Sequence, residues 1–325
     1  MRSACRWRRR GWCCPAGRRR CGADQIAYRK EKGCEIVMFN DILDEIWAVS
    51  KMPFEFAAAK LENDVNLDKD FTDILKQIGT IPEAIEHDST EEKLFSKVSD
   101  AVLARAFREI GLKSTVLKER GDSADVLAES PIHGYTLVAD AKAFRMSRTA
   151  KNQKDFKVAA LSAWRKDSEY AVLCSPYFQY PLKSSQIYAQ AIQNNVCLLS
   201  WEHLLFIIQH GVKETEERNL AKLWGFCDDY AHLVPCSDMK KRFLEPFNKI
   251  LVELLSVDDS SFKKLLDLQI ETIAERGILE KTFWQREIEK IESYTKDKAI
   301  EELIKSKKIR EKMLQIETYV KGLQW

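Results

Sequence analysis

Two aspartates and one lysine are the residues of this sequence whose types and spacing could support catalysis. Asp125 and Asp140 flank a mainly apolar stretch that is interrupted by Pro131-Ile-His-Gly134. If these four residues form the turn of an antiparallel hairpin, Asp125 lies opposite Asp140, with the Cβ atoms about 4.5–5.5 Å apart. Because side chains alternate along a strand, Lys142 points to the same face as Asp140. The sequence therefore predicts two carboxylates and one ammonium group around a single point.

This grouping favours the chemistry of a divalent metal ion. Two carboxylates at that distance repel each other by about 3 kcal/mol at an effective dielectric constant of 20, so a cation would stabilise the arrangement. Oxygen donors with room for water suit Mg²⁺ or Mn²⁺. Such an ion could bind a phosphate oxygen and lower the pKa of a bound water molecule, while the lysine stabilises developing negative charge. An ordinary surface ion pair is the alternative interpretation, because an Asp-x-Lys triplet also arises by chance.

A basic segment follows directly and indicates a negatively charged partner. From Lys142 to Lys166 there are eight basic side chains and one acidic side chain, Asp155. Basic groups interleaved with amides suit contacts to DNA phosphates and to base edges. A solvated helix face is the alternative. The residues predicted to contact DNA are Arg145, Arg148, Lys151, Asn152, Gln153, Lys154 and Lys157.

Strands alternating with helices must position these groups. Short β-forming runs at 115–117, 125–129, 135–144, 170–174 and 196–199 alternate with helical patterns at 149–164 and 184–193. Helices are predicted at 41–62, at 68–78, after the capping-box sequence Ser89-Thr-Glu-Glu92, and over most of the chain from 201 onward. The fold class is therefore α/β, a sheet flanked by helices with a helical C-terminal part. No Pro/Ser-rich linker divides residues 38–325, so one domain is expected.

The first 37 residues differ in composition from the rest of the chain. They carry eleven basic and three acidic side chains, a net +8, whereas the remaining 288 residues hold 41 basic and 47 acidic side chains, a net −6. They contain no apolar segment of a secretory signal, but an organelle transit peptide has a similar composition. We expect residues 1–37 to be a non-native or disordered extension, with translation beginning at Met38. No run of 18 apolar residues occurs, which excludes a transmembrane helix.

Asp125 and Asp140-Ala-Lys142 resemble the motif of the PD-(D/E)xK nuclease superfamily, with Ala124 in place of the nominal proline. Longer blocks are similar to the HindIII family of type II restriction endonucleases. The likeness begins near residue 38 and is strongest across 79–204. It is carried by Ile81-Pro-Glu-Ala-Ile85, Leu137-Val-Ala-Asp-Ala-Lys142, Ser147-Arg-Thr-Ala-Lys-Asn-Gln-Lys-Asp-Phe-Lys157, Phe178-Gln-Tyr-Pro181 and Ser200-Trp-Glu-His-Leu204.

The resemblance implies a homodimeric bacterial enzyme of the cytoplasm that cuts both strands of DNA at a palindromic site. It implies Mg²⁺ dependence, the site AAGCTT, 5′-phosphate ends, a mixed central sheet, and a companion methyltransferase that forms no stable complex. Asp125 and Asp140 then match the metal-binding acids, aided by the Ala141 carbonyl. Lys142 matches the motif lysine, and Glu92 matches a helix acid near the metal.

Two alternatives to this interpretation remain open. One is a nuclease of the same superfamily with another target, acting in repair or junction resolution. The other is a DNA-binding protein without catalysis, in which the acids form a structural pair. Dependence on a divalent ion and the pattern of cut fragments distinguish the three.

Overall fold

A mixed five-stranded sheet forms the centre of the part of the chain that the structure describes. The structure is a computed structural model, and it describes residues 37–68, 71–118, 123–148 and 153–321. The strands are β1 (Lys113–Val116), β2 (Val126–Glu129), β3 (Thr136–Ala141), β4 (Tyr170–Ser175) and β5 (Val196–Ser200), in that spatial order. β1, β2 and β3 pair antiparallel, whereas β3, β4 and β5 run parallel. The predicted α/β class is confirmed.

Helices surround this sheet and make up the C-terminal part of the protein. Those before and around the sheet are α1 (Val37–Val49), α2 (Phe54–Leu67), α3 (Phe71–Gln77), α4 (Thr90–Glu109), α5 (Gln153–Phe156), α6 (Val158–Trp164) and α7 (Gln186–Gln193). Those after it are α8 (Trp201–Gln209), α9 (Ala221–Trp224), α10 (Phe226–Ala231), α11 (Leu244–Leu255), α12 (Ser260–Glu292), α13 (Lys296–Ser306) and α14 (Ile309–Lys321). None of the helices described is both long enough and apolar enough to cross a lipid bilayer.

The β2–β3 hairpin has the register that the sequence predicts. Val126 lies opposite Ala139. At the turn, the Ser130 N–H donates to the Tyr135 carbonyl at 2.9 Å. Gly134 has φ 74°, a left-handed conformation that glycine adopts without strain. Since the strands are in register from the turn onward, the next residue of each strand beyond the Val126 pair is an aspartate.

Two of the predicted helices are wrong in extent, because each is divided in the structure. The helix predicted at 41–62 is divided, because Pro53 is extended (φ −54°, ψ 133°) and lacks the N–H needed to continue a helix. The helix predicted at 149–164 is divided at Lys157, which has φ 49°. Phe156 and Val158 on either side of this bend are both fully buried. Side chains two apart on a straight helix point about 200° apart and could not both face the core.

Burial increases from the first strands of the sheet toward the last. On β2 the side chains alternate between buried and exposed, whereas every residue of β5 is buried. A parallel strand covered on both faces is expected to be apolar throughout, as β5 is, with Val196 to Leu199 before Ser200. The hairpin thus lies on the side of the sheet where its strands are less completely covered. Residues from Met38 onward form one compact unit. Residues 1–36 of the predicted extension lie outside the described residues.

Candidate active site

Asp125 and Asp140 lie at one end of the hairpin, where both strands open into a cleft of about 970 Å³. The opposite wall of the cleft belongs to the N-terminal half of α4 and to the connection between α1 and α2. The Asp125 carboxylate accepts a hydrogen bond from the Ala141 N–H at 3.3 Å, which ties it to the end of β3. Lys142 forms an ion pair with Asp140, as strand alternation predicts. The structure thus brings the predicted acids and the lysine together.

The polar stripe of α4 contributes an acid and a lysine that the sequence analysis missed. Asp100 is only 3% exposed, and the Lys97 ammonium lies 2.8 Å from its carboxylate. A signal for these residues existed, because Lys93, Ser96, Lys97 and Asp100 recur at positions i, i+3, i+4 and i+7 and so share one helix face. All four line the cleft. This face lies opposite the apolar face of the helix, which buries Phe95, Val98 and Val102.

Crowded acids and burial dominate the electrostatics of the cleft. Burial raises the pKa of Asp125, and the hydrogen bond to Asp140 and the charges of Asp100 and Asp140 raise it further. Burial also raises the pKa of Asp100, against the opposing effect of Lys97. Although burial opposes the charged form of Lys97, the carboxylates of Asp100 and Asp125 raise its pKa above the ordinary value. At the buried end of the cleft, three carboxylates (Asp100, Asp125 and Asp140) therefore lie beside only two paired lysines, Lys97 and Lys142.

The donor set fits a hard divalent cation. Burial and the nearby Asp140 carboxylate raise the pKa of Asp125, so a cation between the two groups would offset their unfavourable charge. Carboxylate oxygens of this kind, with a backbone carbonyl nearby, are the ligands that Mg²⁺ and Mn²⁺ prefer. Asp125, Asp140 and the Ala141 carbonyl would hold the ion, with Asp100 next to them.

Glu92 lies farther along the same cleft and is held by other groups. It is eight residues before Asp100 on α4, a separation of about 12 Å along a helix axis. Its carboxylate pairs with Arg145, lies 2.9 Å from His87 Nδ1, and accepts the Asp88 N–H at 2.8 Å. Burial opposes the charged form, but these hydrogen bonds and charges lower the pKa of Glu92. The Ser89 cap that the sequence predicts is present, since the Ser89 hydroxyl accepts the Glu92 N–H at 3.1 Å.

Glu92 also belongs to a second group with metal-binding geometry. One ligand atom each of His87, Asp88 and Glu92 lie within 4.8 Å of one another. His87 and Asp88 are exposed, and the Glu92 carboxylate is already hydrogen-bonded to this segment and to Arg145. Asp125 and Asp140 therefore fit a divalent ion better than this group does.

The predicted DNA-contacting residues have varied surroundings. Arg145 pairs with Glu92 and donates to the Ile85 carbonyl at 2.6 Å. Arg148 pairs with Asp155, and its guanidinium lies 3.9 Å from the centre of the Phe144 ring. Lys154 and Lys157 are exposed, and Lys157 also lines the cleft. Gln153 is described only as part of α5, and Lys151 and Asn152 lie outside the described residues.

A mixed sheet with Asp125 and the Asp140-Ala-Lys142 triplet at the end of adjacent strands is the arrangement of a PD-(D/E)xK nuclease. The relationship to known proteins is more specific than this class. The model of the HindIII restriction endonuclease family matches residues 43–319. The chain is 44% identical over 252 residues to the type II restriction enzyme HindIII of Haemophilus influenzae, covering 78% of this chain and 84% of that enzyme. The chain belongs to the HindIII restriction endonuclease family, and it is therefore a restriction endonuclease.

Proposed function

We propose that this enzyme hydrolyses both strands of double-stranded DNA at the palindrome AAGCTT, in a reaction that depends on Mg²⁺. The observation that carries the proposal is the convergence of Asp125, Asp140 and Lys142 on one wall of an open cleft. The resemblance to the HindIII enzyme supports the sequence of the site. We further propose that the protein acts in the bacterial cytoplasm.

Each residue of the proposed site has a defined part in phosphodiester hydrolysis. When bound, Mg²⁺ supplies a Lewis acid that polarises the scissile phosphate and makes water acidic enough to attack at neutral pH. Asp125 and Asp140 hold the ion, together with the Ala141 carbonyl. Lys142, whose side chain is 15% exposed, orients the attacking water and stabilises negative charge on the phosphate oxygens. Hydrolysis leaves the phosphate on the 5′ end.

Lys97 and Asp100 complete the charge balance of this cleft. Lys97 neutralises Asp100, so Asp125 and Asp140 meet the incoming cation without a third uncompensated charge beside them. We propose that Asp100 lies beside the two metal-binding aspartates and helps to stabilise the bound ion. We assign Glu92 a part in holding Arg145, and with it the basic segment, close to the cleft.

The basic residues fall into two groups: those that fix the basic segment to the rest of the protein by ion pairs, and those that we propose contact DNA. Lys154 and Lys157 are exposed and suit direct phosphate contacts, as we propose for Lys151, Asn152 and Gln153. Arg145 and Arg148 are mostly buried in intramolecular ion pairs. They can contact phosphate only with the NH groups that these pairs leave accessible.

A homodimer follows from the symmetry of the proposed site. One cleft holds one set of the proposed catalytic residues, which can cut one strand, whereas a palindrome presents the same sequence on both strands. Two copies of the chain related by a twofold axis would place one cleft at each scissile bond. A companion methyltransferase that modifies the same site would protect the host DNA, without a stable complex with the nuclease.

Digestion of plasmid DNA of known sequence tests the proposal. The protein is incubated with Mg²⁺ or with EDTA, and the cut ends are sequenced. We expect Mg²⁺-dependent cuts within AAGCTT and 5′-phosphate ends. Asp140→Asn should not cut, whereas the control Glu214→Gln, which changes a buried carboxylate at the turn end of the hairpin, should retain cleavage. Discrete cuts at another sequence would refute the specificity, and binding without any cleavage would favour the non-catalytic alternative.

A further inference from the structure

The backbone of Lys142 is held on both sides where it leaves the sheet. Its N–H donates to the Cys174 carbonyl of β4 at 2.8 Å. Its carbonyl accepts a hydrogen bond of 2.9 Å from the indole N–H of Trp201. Two residues later, the Phe144 N–H donates to the Gly79 carbonyl at 3.0 Å. The Lys142 carbonyl thus has a side-chain donor at the point where β3 has ended.

Trp201 is itself fixed by its place in the fold. It is the first residue of α8, is 2% exposed, and follows Ser200, whose hydroxyl caps the helix by accepting the His203 N–H. Its ring packs against Gly79, where an added Cβ atom would lie 2.8 Å from Trp201 Cδ1 and 2.7 Å from Pro176 Cγ. Only a residue without a side chain leaves room for the indole at this position, which accounts for a glycine there.

We propose that Trp201 is a positioning residue for Lys142. The inference rests on the function proposed for Lys142 above. Rotation of the peptide after Lys142 would turn its Cα–Cβ bond and move the ammonium away from Asp140. The indole N–H opposes that rotation, because the partly buried Lys142 carbonyl would lose its hydrogen bond. Trp201 touches neither DNA nor metal in this role and acts through the lysine backbone alone.

Replacement by Trp201→Phe removes the N–H while keeping an aromatic ring. We expect the single-turnover cleavage rate at saturating enzyme with Mg²⁺ to fall about tenfold to a hundredfold, the range for a catalytic group displaced by about 1 Å. The dissociation constant for a duplex that carries the cleavage site, measured in EDTA, should stay near the wild-type value. A purely structural role would not separate the rate from binding in this way.

Trp224→Phe is the matched control. Trp224 is fully buried and donates its indole N–H to the Tyr135 hydroxyl at 3.1 Å, at the turn end of the hairpin. The control variant therefore loses the same kind of hydrogen bond and should keep the wild-type rate. Gly79→Ala is a second variant that retains the indole but must displace it, and it too should lower the rate. The Gly79→Ala variant tests the positioning role if Trp201→Phe does not fold.

The outcomes separate this inference from the proposed function. A wild-type rate for Trp201→Phe, or equal losses for the Trp201 and Trp224 variants, would overturn the positioning role. With Trp201→Phe unfolded, a wild-type rate for Gly79→Ala would do so as well. Lys142→Ala is measured beside them. If that variant also cuts at the wild-type rate, the function proposed for Lys142 fails, whatever Trp201 does.

Discussion

The Lys97–Asp100 ion pair allows a test of the cation site that does not depend on cleavage. Lys97→Met leaves the buried Asp100 carboxylate without the ammonium 2.8 Å away. Removing one partner of a fully buried pair costs about 3–5 kcal/mol. The Lys97 side chain is 35% exposed, so solvent screens its charge, and we expect a loss of about 2 kcal/mol. For a domain of this size, the midpoint of thermal unfolding should fall by about 3 °C.

Mg²⁺ should reverse much of this loss. A divalent cation held by Asp125 and Asp140, as proposed above, would also offset the charge of Asp100, which interacts electrostatically with both carboxylates. The variant should therefore gain more thermal stability from Mg²⁺ than the wild type gains. Thermal unfolding followed by circular dichroism, with Mg²⁺ and with EDTA, measures both effects. Lys93→Met is the matched control. It removes the same charge one turn away on the same face, where the side chain is exposed, and should change stability by less than about 0.5 kcal/mol.

Equal losses for Lys97→Met with and without Mg²⁺ would refute the reasoning, because the cation would then not reach Asp100. So would equal losses for the two lysine variants. Asp100→Asn combined with Lys97→Met closes a double-mutant cycle and isolates the energy of the pair. The double variant should be more stable than Lys97→Met alone, since the buried charge is gone.

Three further predictions concern catalysis, binding and pH. Asp140→Asn should abolish Mg²⁺-dependent cleavage while leaving DNA binding in a filter or gel assay nearly unchanged, and full cutting by this variant would contradict the metal assignment. Lys154→Ala should weaken binding to all sequences and reduce the slope of log K against log salt by about 1, whereas an unchanged slope would remove it from the phosphate contacts. Burial lowers the pKa of His203 to about 4. Because the unfolded chain takes up this proton below about pH 6.5, the unfolding free energy should fall by up to about 3 kcal/mol between pH 6.5 and 4. Denaturant titrations should show a flatter pH dependence for His203→Gln, and an equal dependence would contradict the assignment to this histidine.

The hairpin could be predicted because its geometry depends on residues close in sequence. A four-residue turn ending in Gly134 fixes the count from Ser130 back to Asp125 and forward to Asp140. The break in the first predicted helix was equally local, since the turn at 50–52 and Pro53 separate α1 from α2. In both places, the information lies within a few residues of the feature.

Other parts of the site depend on partners far along the chain. Arg145 belongs to a basic segment that indicates DNA binding, but its guanidinium pairs with Glu92, 53 residues away. From the sequence alone, Asp100 looks like a solvent-exposed helix residue. In the fold, the hairpin packs against α4 and Asp100 is buried. The bend at Lys157 arises because Phe156 and Val158 are both drawn into the core. No periodicity in one segment can show these contacts.

The register of the β2–β3 hairpin also governs which changes of length the site tolerates. Residues added to the turn at 131–134 leave Asp125 and Asp140 together at the same end of the hairpin, because both strands keep their pairing. One residue added to β3 instead turns the Asp140 side chain toward the other face of the sheet. The number of residues between the acids is thus free to drift during evolution while their separation in space is not. A search for distant relatives should allow a gap at the turn and none within the strands.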